Sequence, residues 1–178
     1  MQVRELNSSD IASILSLYQR CFAGYPWFEK LSEQTVVSRW QNDSTQQGFE
    51  CIVMEHDDKI LGAIWWNIIN STRLLNERGE KLVNFVGTNF PNVPMIWERE
   101  VMTCPENHRK GIATILRNEF IRRIQLLPVP RLILTRMRDD NVGIIKIGEK
   151  IGFKRTGIRM PCTLKPEVCH EYWYLLTE

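Results

Sequence analysis

A short basic loop with small residues separates two apolar stretches near the middle of the chain. It reads His108-Arg109-Lys110-Gly111-Ile112-Ala113, and apolar residues recur at helical spacing from Ile112 onward. A helix that begins near Lys110 presents unpaired N–H groups and the positive end of its dipole, so it favours an anion there. Arg109 and Lys110 add positive charge, while Gly111 and Ala113 leave room. The chemistry predicted for this loop is the binding of a pyrophosphate.

Together with the strand-like residues Val101-Met102-Thr103 before it, the loop resembles motif A of the GNAT superfamily of N-acetyltransferases. That motif reads Gln/Arg-x-x-Gly-x-Gly/Ala, which lines up with residues 108–113. A second block, residues 141–153, resembles motif B of the same family, a helix led by Asn141 that closes on Gly152-Phe153. The two blocks have the family's order and separation. The resemblance covers nearly the whole chain and is strongest over residues 96–153.

Two positions depart from the family pattern. His108 stands where Gln or Arg is usual, but backbone donors do most of the work in this motif, so binding is expected to persist. Gly148 stands where the family often has a tyrosine that protonates the departing sulfur of coenzyme A. A thiol with a pKa of about 8.5 already leaves tolerably as a thiolate near neutral pH. Tyr172 and Tyr174 are either substitutes for that tyrosine or residues that pack across strands.

The resemblance implies acetyl-CoA as the cofactor, with coenzyme A as the product. It implies that the backbone of residues 101–103 pairs with pantetheine and leaves an N–H to polarise the thioester carbonyl. It places the pyrophosphate on residues 109–114, and it gives Asn141 a side-chain contact with the cofactor that is compatible with an N-cap. The expected cofactor-binding residues are Val101, Met102, Thr103, Arg109, Lys110, Gly111, Ile112, Ala113, Thr114 and Asn141.

The acceptor amine must lose a proton before it attacks, because an alkyl ammonium group ordinarily has a pKa of about 10. Some family members keep a catalytic glutamate on the strand that carries Glu98 and Glu100 here. Strand alternation puts these two glutamates on one face, unless a β-bulge switches the phase downstream. We favour Glu100 as the catalytic base and keep Glu98 beside it. The other interpretation is that both pair with arginines or solvent.

The predicted function is therefore acetyl transfer from acetyl-CoA to a primary amine of a small molecule or peptide by direct attack. The alternative is a non-catalytic acyl-CoA-binding or sensing module of the same fold, which the missing side chain at Gly148 favours. Turnover distinguishes the two. A P-loop hydrolase is disfavoured because the Gly-x-x-x-x-Gly-Lys-Ser/Thr spacing is absent from the sequence.

Length and composition narrow the class of protein further. The chain has 178 residues, 43% hydrophobic and 25% charged, which suits a single domain over residues 1–178. A net charge of +2 gives no reason to expect nucleic acid as a partner. The first residues lack a secretory h-region and no apolar run is long enough to span a bilayer, so a cytoplasmic protein with no membrane partner is predicted. Five cysteines without a Cys-x-x-Cys pair predict free thiols and no metal site. The resemblance leaves a homodimer open.

The pattern of strands and helices along the chain predicts an α/β fold with a central mixed sheet flanked by helices. The resemblance implies that neighbouring central strands splay apart. Strands are predicted at residues 2–6, 49–55, 59–69, 96–103, 131–136, 158–160 and 172–176, and helices around residues 11–22, 32–42, 112–127 and 141–151. The second and third strands should form an antiparallel hairpin, and the strands on either side of the third helix should be parallel. Residues 70–95 are a lid, an interaction surface or a mis-assigned element. The tryptophans are expected to fill the core more than to shape an acceptor pocket.

Overall fold

A computed structural model describes residues 1–162 and 165–177 of the chain. Within them, seven strands form one mixed sheet in the order β1-β2-β3-β4-β5-β7-β6, accompanied by six α-helices, which confirms the predicted fold class. The strands are β1 (Gln2–Glu5), β2 (Glu50–His56), β3 (Lys59–Ile69), β4 (Met95–Thr103), β5 (Leu132–Arg138), β6 (Lys154–Pro161) and β7 (Cys169–Leu176). The helices are α1 (Ile11–Ala23), α2 (Glu33–Ser44), α3 (Ser71–Arg78), α4 (Glu80–Asn89), α5 (Ile112–Gln125) and α6 (Val142–Ile151).

The strand pairings follow the connections that the sequence predicts. β2 and β3 form the expected antiparallel hairpin. β4 and β5, which α5 connects, are parallel, and their pairing joins Met95–Trp97 to Leu132–Leu134. β4 itself continues to Thr103, well past this pairing. β7 is antiparallel to both β5 and β6.

Residues 71–89 form two helices, so the segment with three open interpretations is a mis-assigned element. The Asn70 side chain caps α3 by accepting from the Arg73 N–H at 2.9 Å, and Gly79, with φ of 84°, separates α3 from α4. Leu74 and Leu82 are completely buried in an apolar cluster with residues of β4 and β5. In the sequence the segment resembled a loop because polar and turn-forming residues, among them Gly79, Pro91 and Pro94, interrupt its pattern.

The C-terminal strands are longer than predicted. β6 begins at Lys154 instead of residue 158, and its register against β7 shifts between Arg155 and Arg159. Gly157 lies inside this irregularity with φ of 76°, which explains why the period-2 pattern is unreadable there. The predicted connection over residues 161–171 includes residues 163 and 164, which lie outside the described part of the chain.

By their internal contacts the residues divide into two compact units. The first contains Met1–Asn67 and Glu98–Arg122, and the second contains Ile68–Trp97 and Arg123–Glu178. The core of the first unit includes apolar residues of α1, α2, β2 and β3, and that of the second includes residues of α3, α4, β5 and β7. The single-domain assignment stays a prediction. Among the described residues, none of the helices combines the length and apolar character that crossing a membrane requires.

Candidate functional site

The basic loop between β4 and α5 has the backbone of an anion site. One 3₁₀ turn, Pro105–Asn107, leads out of the strand, and Arg109 and Gly111 then have φ angles of 63° and 80°. The N–H of Ile115 donates to the Gly111 carbonyl at 3.0 Å, so helical hydrogen bonding starts from Gly111. The next three N–H groups therefore have no partner within the helix, and left-handed residues in such a loop gather N–H groups into an anion-binding concavity.

Gly111 keeps this concavity open. A Cβ atom at Gly111 would meet no protein atom within 4 Å, and its φ of +80° is one that other residues rarely adopt. Arg109 and Lys110 are exposed beside it, and the Lys110 Nζ donates to the Asn107 side-chain oxygen at 2.8 Å. The loop thus has the space, the N–H groups and the charge that a pyrophosphate needs.

The last residues of β4 lead directly into this loop. The Thr103 carbonyl accepts from the Cys21 thiol at 3.1 Å and lies 3.1 Å from the His108 Nε2. The Thr103 hydroxyl is buried and has no hydrogen-bond partner among residues 1–162 and 165–177. The Met102 side chain is buried in the apolar cluster beneath α1 and α2. Thr103 therefore retains hydrogen-bonding capacity, as a residue beside a polar cofactor should.

Two adjacent tryptophans of β3 show which helices cover each face of the first unit. The Trp65 ring lies 6.0 Å from Tyr18 of α1 and 5.3 Å from Trp40 of α2, measured between ring centroids. The Trp66 ring packs on Phe120 of α5 at 4.6 Å. Because successive side chains of a strand point to opposite faces, α1 and α2 cover one face and α5 covers the other.

Glu98 points to the α5 face and is engaged in a buried ion pair. Its side chain is 2% exposed, and that of Arg117 on α5 is 1% exposed. The Arg117 Nε donates to both carboxylate oxygens at 3.1 Å. This is the arginine pairing that the sequence left open, and Arg117 was not identified as the partner. A buried carboxylate in such a pair stabilises the fold, because removal of either charge leaves the other buried without a counter-charge.

Glu100 points to the opposite face. The Tyr18 hydroxyl of α1 donates to the Glu100 Oε1 at 3.3 Å, and the Glu100 side chain is half-buried. The prediction that Glu98 and Glu100 share a face is therefore wrong. The alternation of β4 breaks between them and keeps its new phase downstream, since Met102 also packs under α1 and α2. This is the change of phase that a β-bulge produces.

Gly62 of β3, which the sequence did not single out, lies against two of the predicted cofactor-binding residues. A Cβ atom at Gly62 would lie 2.7 Å from the Met102 carbonyl oxygen and 2.7 Å from the Ile112 Cγ2. β3 therefore approaches both the end of β4 and the start of α5 more closely than a side chain permits. The available signal was a single glycine inside an otherwise apolar strand, which often marks a close backbone approach.

The motif B residues form the expected helix in the second unit. The Asn141 side-chain oxygen accepts from the Ile144 N–H at 3.3 Å, which confirms the N-cap interpretation. Gly148 is buried, and its carbonyl accepts from the Phe153 N–H at 2.9 Å, just beyond the end of the helix, where Gly152 is the C-cap. The contact of Asn141 with the cofactor stays a prediction.

The two C-terminal tyrosines pack in the core of the second unit. The Tyr172 ring lies 6.1 Å from Trp97, and burial raises the pKa of Tyr172 above its ordinary value. The Tyr174 ring lies 5.6 Å from Phe85 and 5.1 Å from Phe90. These contacts support the packing interpretation for both residues.

Comparison with known proteins identifies the class. The family model described as "Acetyltransferase (GNAT) domain" matches residues 1–154. No curated protein matches the chain in sequence. The chain belongs to the GNAT family of acetyltransferases.

Solved structures agree in fold with this assignment. Ribosomal-protein-S18-alanine N-acetyltransferase from Escherichia coli is 16% identical with a TM-score of 0.69, over 99% of this chain and 94% of that one. The putative acetyltransferase yncA from Salmonella typhimurium, solved with its cofactor acetyl-CoA, is 14% identical with a TM-score of 0.68, over 100% and 94%. A phosphinothricin acetyltransferase from Sinorhizobium meliloti in complex with AcCoA is 15% identical with a TM-score of 0.69, over 99% and 88%. As a member of the GNAT family the chain is an acetyl-CoA-dependent acetyltransferase. The open space at Gly111 leaves room for the pyrophosphate of that cofactor.

Proposed function

We propose that this enzyme transfers an acetyl group to a primary amine of a small molecule or peptide by direct attack, with Glu100 as the base. The position of Glu100 carries the proposal. It is half-buried and lies on β4 next to the residues that the family pattern assigns to pantetheine. Glu98, its sequence neighbour, is committed to Arg117. Glu100 is therefore the better placed of the two carboxylates to take a proton from an incoming ammonium.

Acetyl-CoA supplies the activated acetyl group. We assign its pantetheine arm to the backbone of Val101–Thr103 and its pyrophosphate to Arg109, Lys110, Gly111 and the first turn of α5, Ile112–Thr114. The unused Thr103 hydroxyl and the open space at Gly111 support this assignment. Asn141 is assigned a side-chain contact in addition to its N-cap bond.

Proton removal is the step for which this chain must provide a side chain. An ammonium with a pKa of about 10 is protonated at neutral pH, and a carboxylate that takes its proton directly or through a water makes the amine nucleophilic. Gly148 provides no proton donor for the leaving sulfur. A thiolate leaves without one near neutral pH, since the thiol pKa is about 8.5.

Release of free thiol from acetyl-CoA tests the proposal. We expect release only when an amine acceptor is present, and a fall of about 10² to 10⁴ in the rate for Glu100→Gln, the usual size of an acid–base contribution. Full activity of Glu100→Gln would contradict its role as the base. Release that needs no amine would contradict transfer to an acceptor.

The panel of acceptors follows from the proteins that share this fold. The Escherichia coli enzyme is named for an alanine of ribosomal protein S18, and the Sinorhizobium meliloti enzyme for phosphinothricin. The panel should therefore include a peptide with an N-terminal alanine, phosphinothricin, free amino acids and simple alkyl amines. A preference for peptides over free amino acids would select a peptide acceptor, and the reverse a small molecule.

An acyl-CoA sensor is the second candidate function, and Gly148 favours it because no side chain is present where the family often has a tyrosine. A sensor binds acetyl-CoA in calorimetric titration but releases no thiol with any amine. Turnover with one amine rejects it. A homodimer and a cytoplasmic location stay predictions, and light scattering of the purified protein tests the first.

A further inference from the structure

We propose that Tyr18 and Arg39 are positioning residues that hold Glu100 as an aimed, ionised carboxylate through a directional chain of hydrogen bonds from Arg39 to Tyr18 to Glu100. The inference rests on the proposed function of Glu100 as the base. It assigns a role to two helices, α1 and α2, for which the sequence predicted no functional residue.

Three consecutive contacts form the chain. The Arg39 Nη1 lies 3.3 Å from the Tyr18 hydroxyl oxygen, and that oxygen lies 3.3 Å from the Glu100 Oε1. The same Arg39 Nη1 also lies 3.4 Å from the Glu29 Oε2. Residues of α1, α2, β4 and the loop after α1 are thus connected within the first unit.

The direction of the chain follows from the chemistry of its members. Arginine has only donors, so the Tyr18 oxygen must accept from Arg39. The single phenolic hydrogen of Tyr18 is then available to Glu100. Burial, and next the negative charge of Glu100, raise the pKa of Tyr18 far above its ordinary value, so the hydrogen stays on the phenol at any pH of interest.

Packing holds the two middle members in place. The Tyr18 ring is buried and stacks on Phe22 at 4.3 Å between centroids, and Trp65 lies 6.0 Å away. The Arg39 side chain is 41% exposed and is held by its ion pair with Glu29, whose side chain is 11% exposed. Because the Tyr18 ring is already held by its neighbours, little further entropy is lost when its hydroxyl orients the Glu100 carboxylate.

The chain should favour the charged form of Glu100. A hydrogen bond that is donated to a carboxylate stabilises its ionised form, and a phenol polarised by a guanidinium is a stronger donor. The charged groups around Glu100 include Arg39 on α2, Glu29 behind it, and the neighbouring Arg99, whose Nε lies 3.8 Å from Asp43 of α2. Removal of the Tyr18 hydroxyl therefore raises the pH at which Glu100 becomes ionised.

Direct titration of Glu100 tests this role without an acceptor. In protein labelled with ¹³C at glutamate carboxyl carbons, the Glu100 resonance is the one that Glu100→Gln removes. We expect Tyr18→Phe to raise its titration midpoint by roughly one to two pH units, as loss of one hydrogen bond to a charged group predicts. Arg39→Gln should raise the titration midpoint of Glu100 as well. Arg39→Lys keeps a charged donor, so its midpoint should lie close to that of the wild type.

A double mutant shows whether Arg39 acts through Tyr18. In the Tyr18→Phe background, Arg39→Gln should shift the midpoint less than it does alone, because the connecting hydroxyl is gone. Tyr25→Phe and Arg122→Gln are matched controls at exposed positions and should leave the midpoint unchanged. An unchanged Glu100 midpoint in Tyr18→Phe would overturn the proposal.

Kinetics with an accepted amine give the second readout. The acid limb of kcat/KM should move to higher pH in Tyr18→Phe by the same amount as the titration midpoint, since the base must be ionised to act. If Glu100→Gln remained fully active, Glu100 would not be the base and the proposed function would fail. The titration of Glu100 in Tyr18→Phe would still show whether Tyr18 and Arg39 favour its charged form. If Glu100→Gln were inactive and Tyr18→Phe had the wild-type profile and midpoint, the inference alone would fail.

Discussion

Two glutamates of β4 that are separated by one residue have different chemical environments. Glu98 is buried against the guanidinium of Arg117, and Glu100 receives the Tyr18 hydroxyl on the opposite face. The first carboxylate has no surface for a substrate, and the second is half-buried. The break in strand alternation is thus what separates a structural carboxylate from the proposed base.

Matched substitutions of these two residues should separate stability from activity. Glu98→Gln removes one charge of a buried pair and leaves Arg117 uncompensated, so the free energy of unfolding should fall by about 3 kcal/mol. Glu100→Gln should change it by less than about 1 kcal/mol, as most substitutions outside the core do. Urea denaturation measures both. Equal losses of stability in the two variants would contradict the division of roles.

At the scale of elements, the close approach of β3 to β4 and α5 depends on Gly62. A Cβ atom there would press on the Met102 carbonyl, which belongs to backbone and yields little, as well as on Ile112. Both neighbours belong to the proposed cofactor site. The packing of β3 therefore helps to set the position of the strand and helix that meet at the anion loop.

Gly62→Ala should destabilise the protein by about 1–3 kcal/mol, the usual cost of overpacking. Gly87→Ala is the control, because Gly87 lies within α4 and a Cβ atom there meets nothing within 4 Å. Gly87→Ala should raise the free energy of unfolding by up to about 1 kcal/mol, since alanine is the better helix former. Guanidinium denaturation measures the free energy of unfolding of both variants. An unchanged value for Gly62→Ala would show that β4 moves to accommodate the added methyl group.

The start of α5 provides a second test at this scale. Gly111 and Gly79 share a positive φ, 80° and 84°, and open space around their Cβ positions. Leucine at either position should cost at least about 1–2 kcal/mol of stability, because both φ values are ones that side chains rarely adopt and the ψ of 170° at Gly79 is nearly exclusive to glycine. Only Gly111→Leu should weaken acetyl-CoA binding, by about tenfold or more, because it obstructs N–H groups that bond a charged ligand. Calorimetric titration decides, and equal affinities would place the pyrophosphate elsewhere.

At the scale of the whole molecule, His170 should make stability depend on pH. Burial, and then the charges of Arg136, Arg138 and Arg78, lower the pKa of His170 from its ordinary 6.5 to about 4. Between pH 6.5 and 4 the histidine is therefore protonated in the unfolded chain but largely neutral in the folded protein. The contribution of His170 to stability is complete above pH 6.5 and is lost progressively as the pH falls towards 4.

His170→Gln should flatten the fall of unfolding free energy between pH 6.5 and 4. His56→Gln is the control for loss of a histidine, since the His56 side chain is 54% exposed. Thermal or urea unfolding at several pH values measures the slope. The same slope in wild type and His170→Gln would show that the histidine is protonated equally in both states.

The sequence alone determined the features that depend on local pattern. The anion loop, the start of α5, the N-cap at Asn141 and the β2–β3 hairpin follow from φ preferences, capping and periodicity over a few residues, and each is present in the structure. The family resemblance rested on the same local signals. Residues 71–89 were missed because the two helices are short and Gly79 divides them, so the polar and turn-forming residues around it indicated a loop.

Only the tertiary structure decided which side chains the two glutamates of β4 contact. The partners are far apart in the chain: Tyr18 and Glu100 are separated by 82 positions, and Glu98 and Arg117 by 19. No local pattern records which side chains meet across a sheet, and one break in alternation reverses the face of every residue after it. The sequence therefore determined where the basic loop between β4 and α5 lies, whereas packing against α1, α2 and α5 decided which glutamate faces Tyr18, because burial and pairing exist only once the elements are assembled.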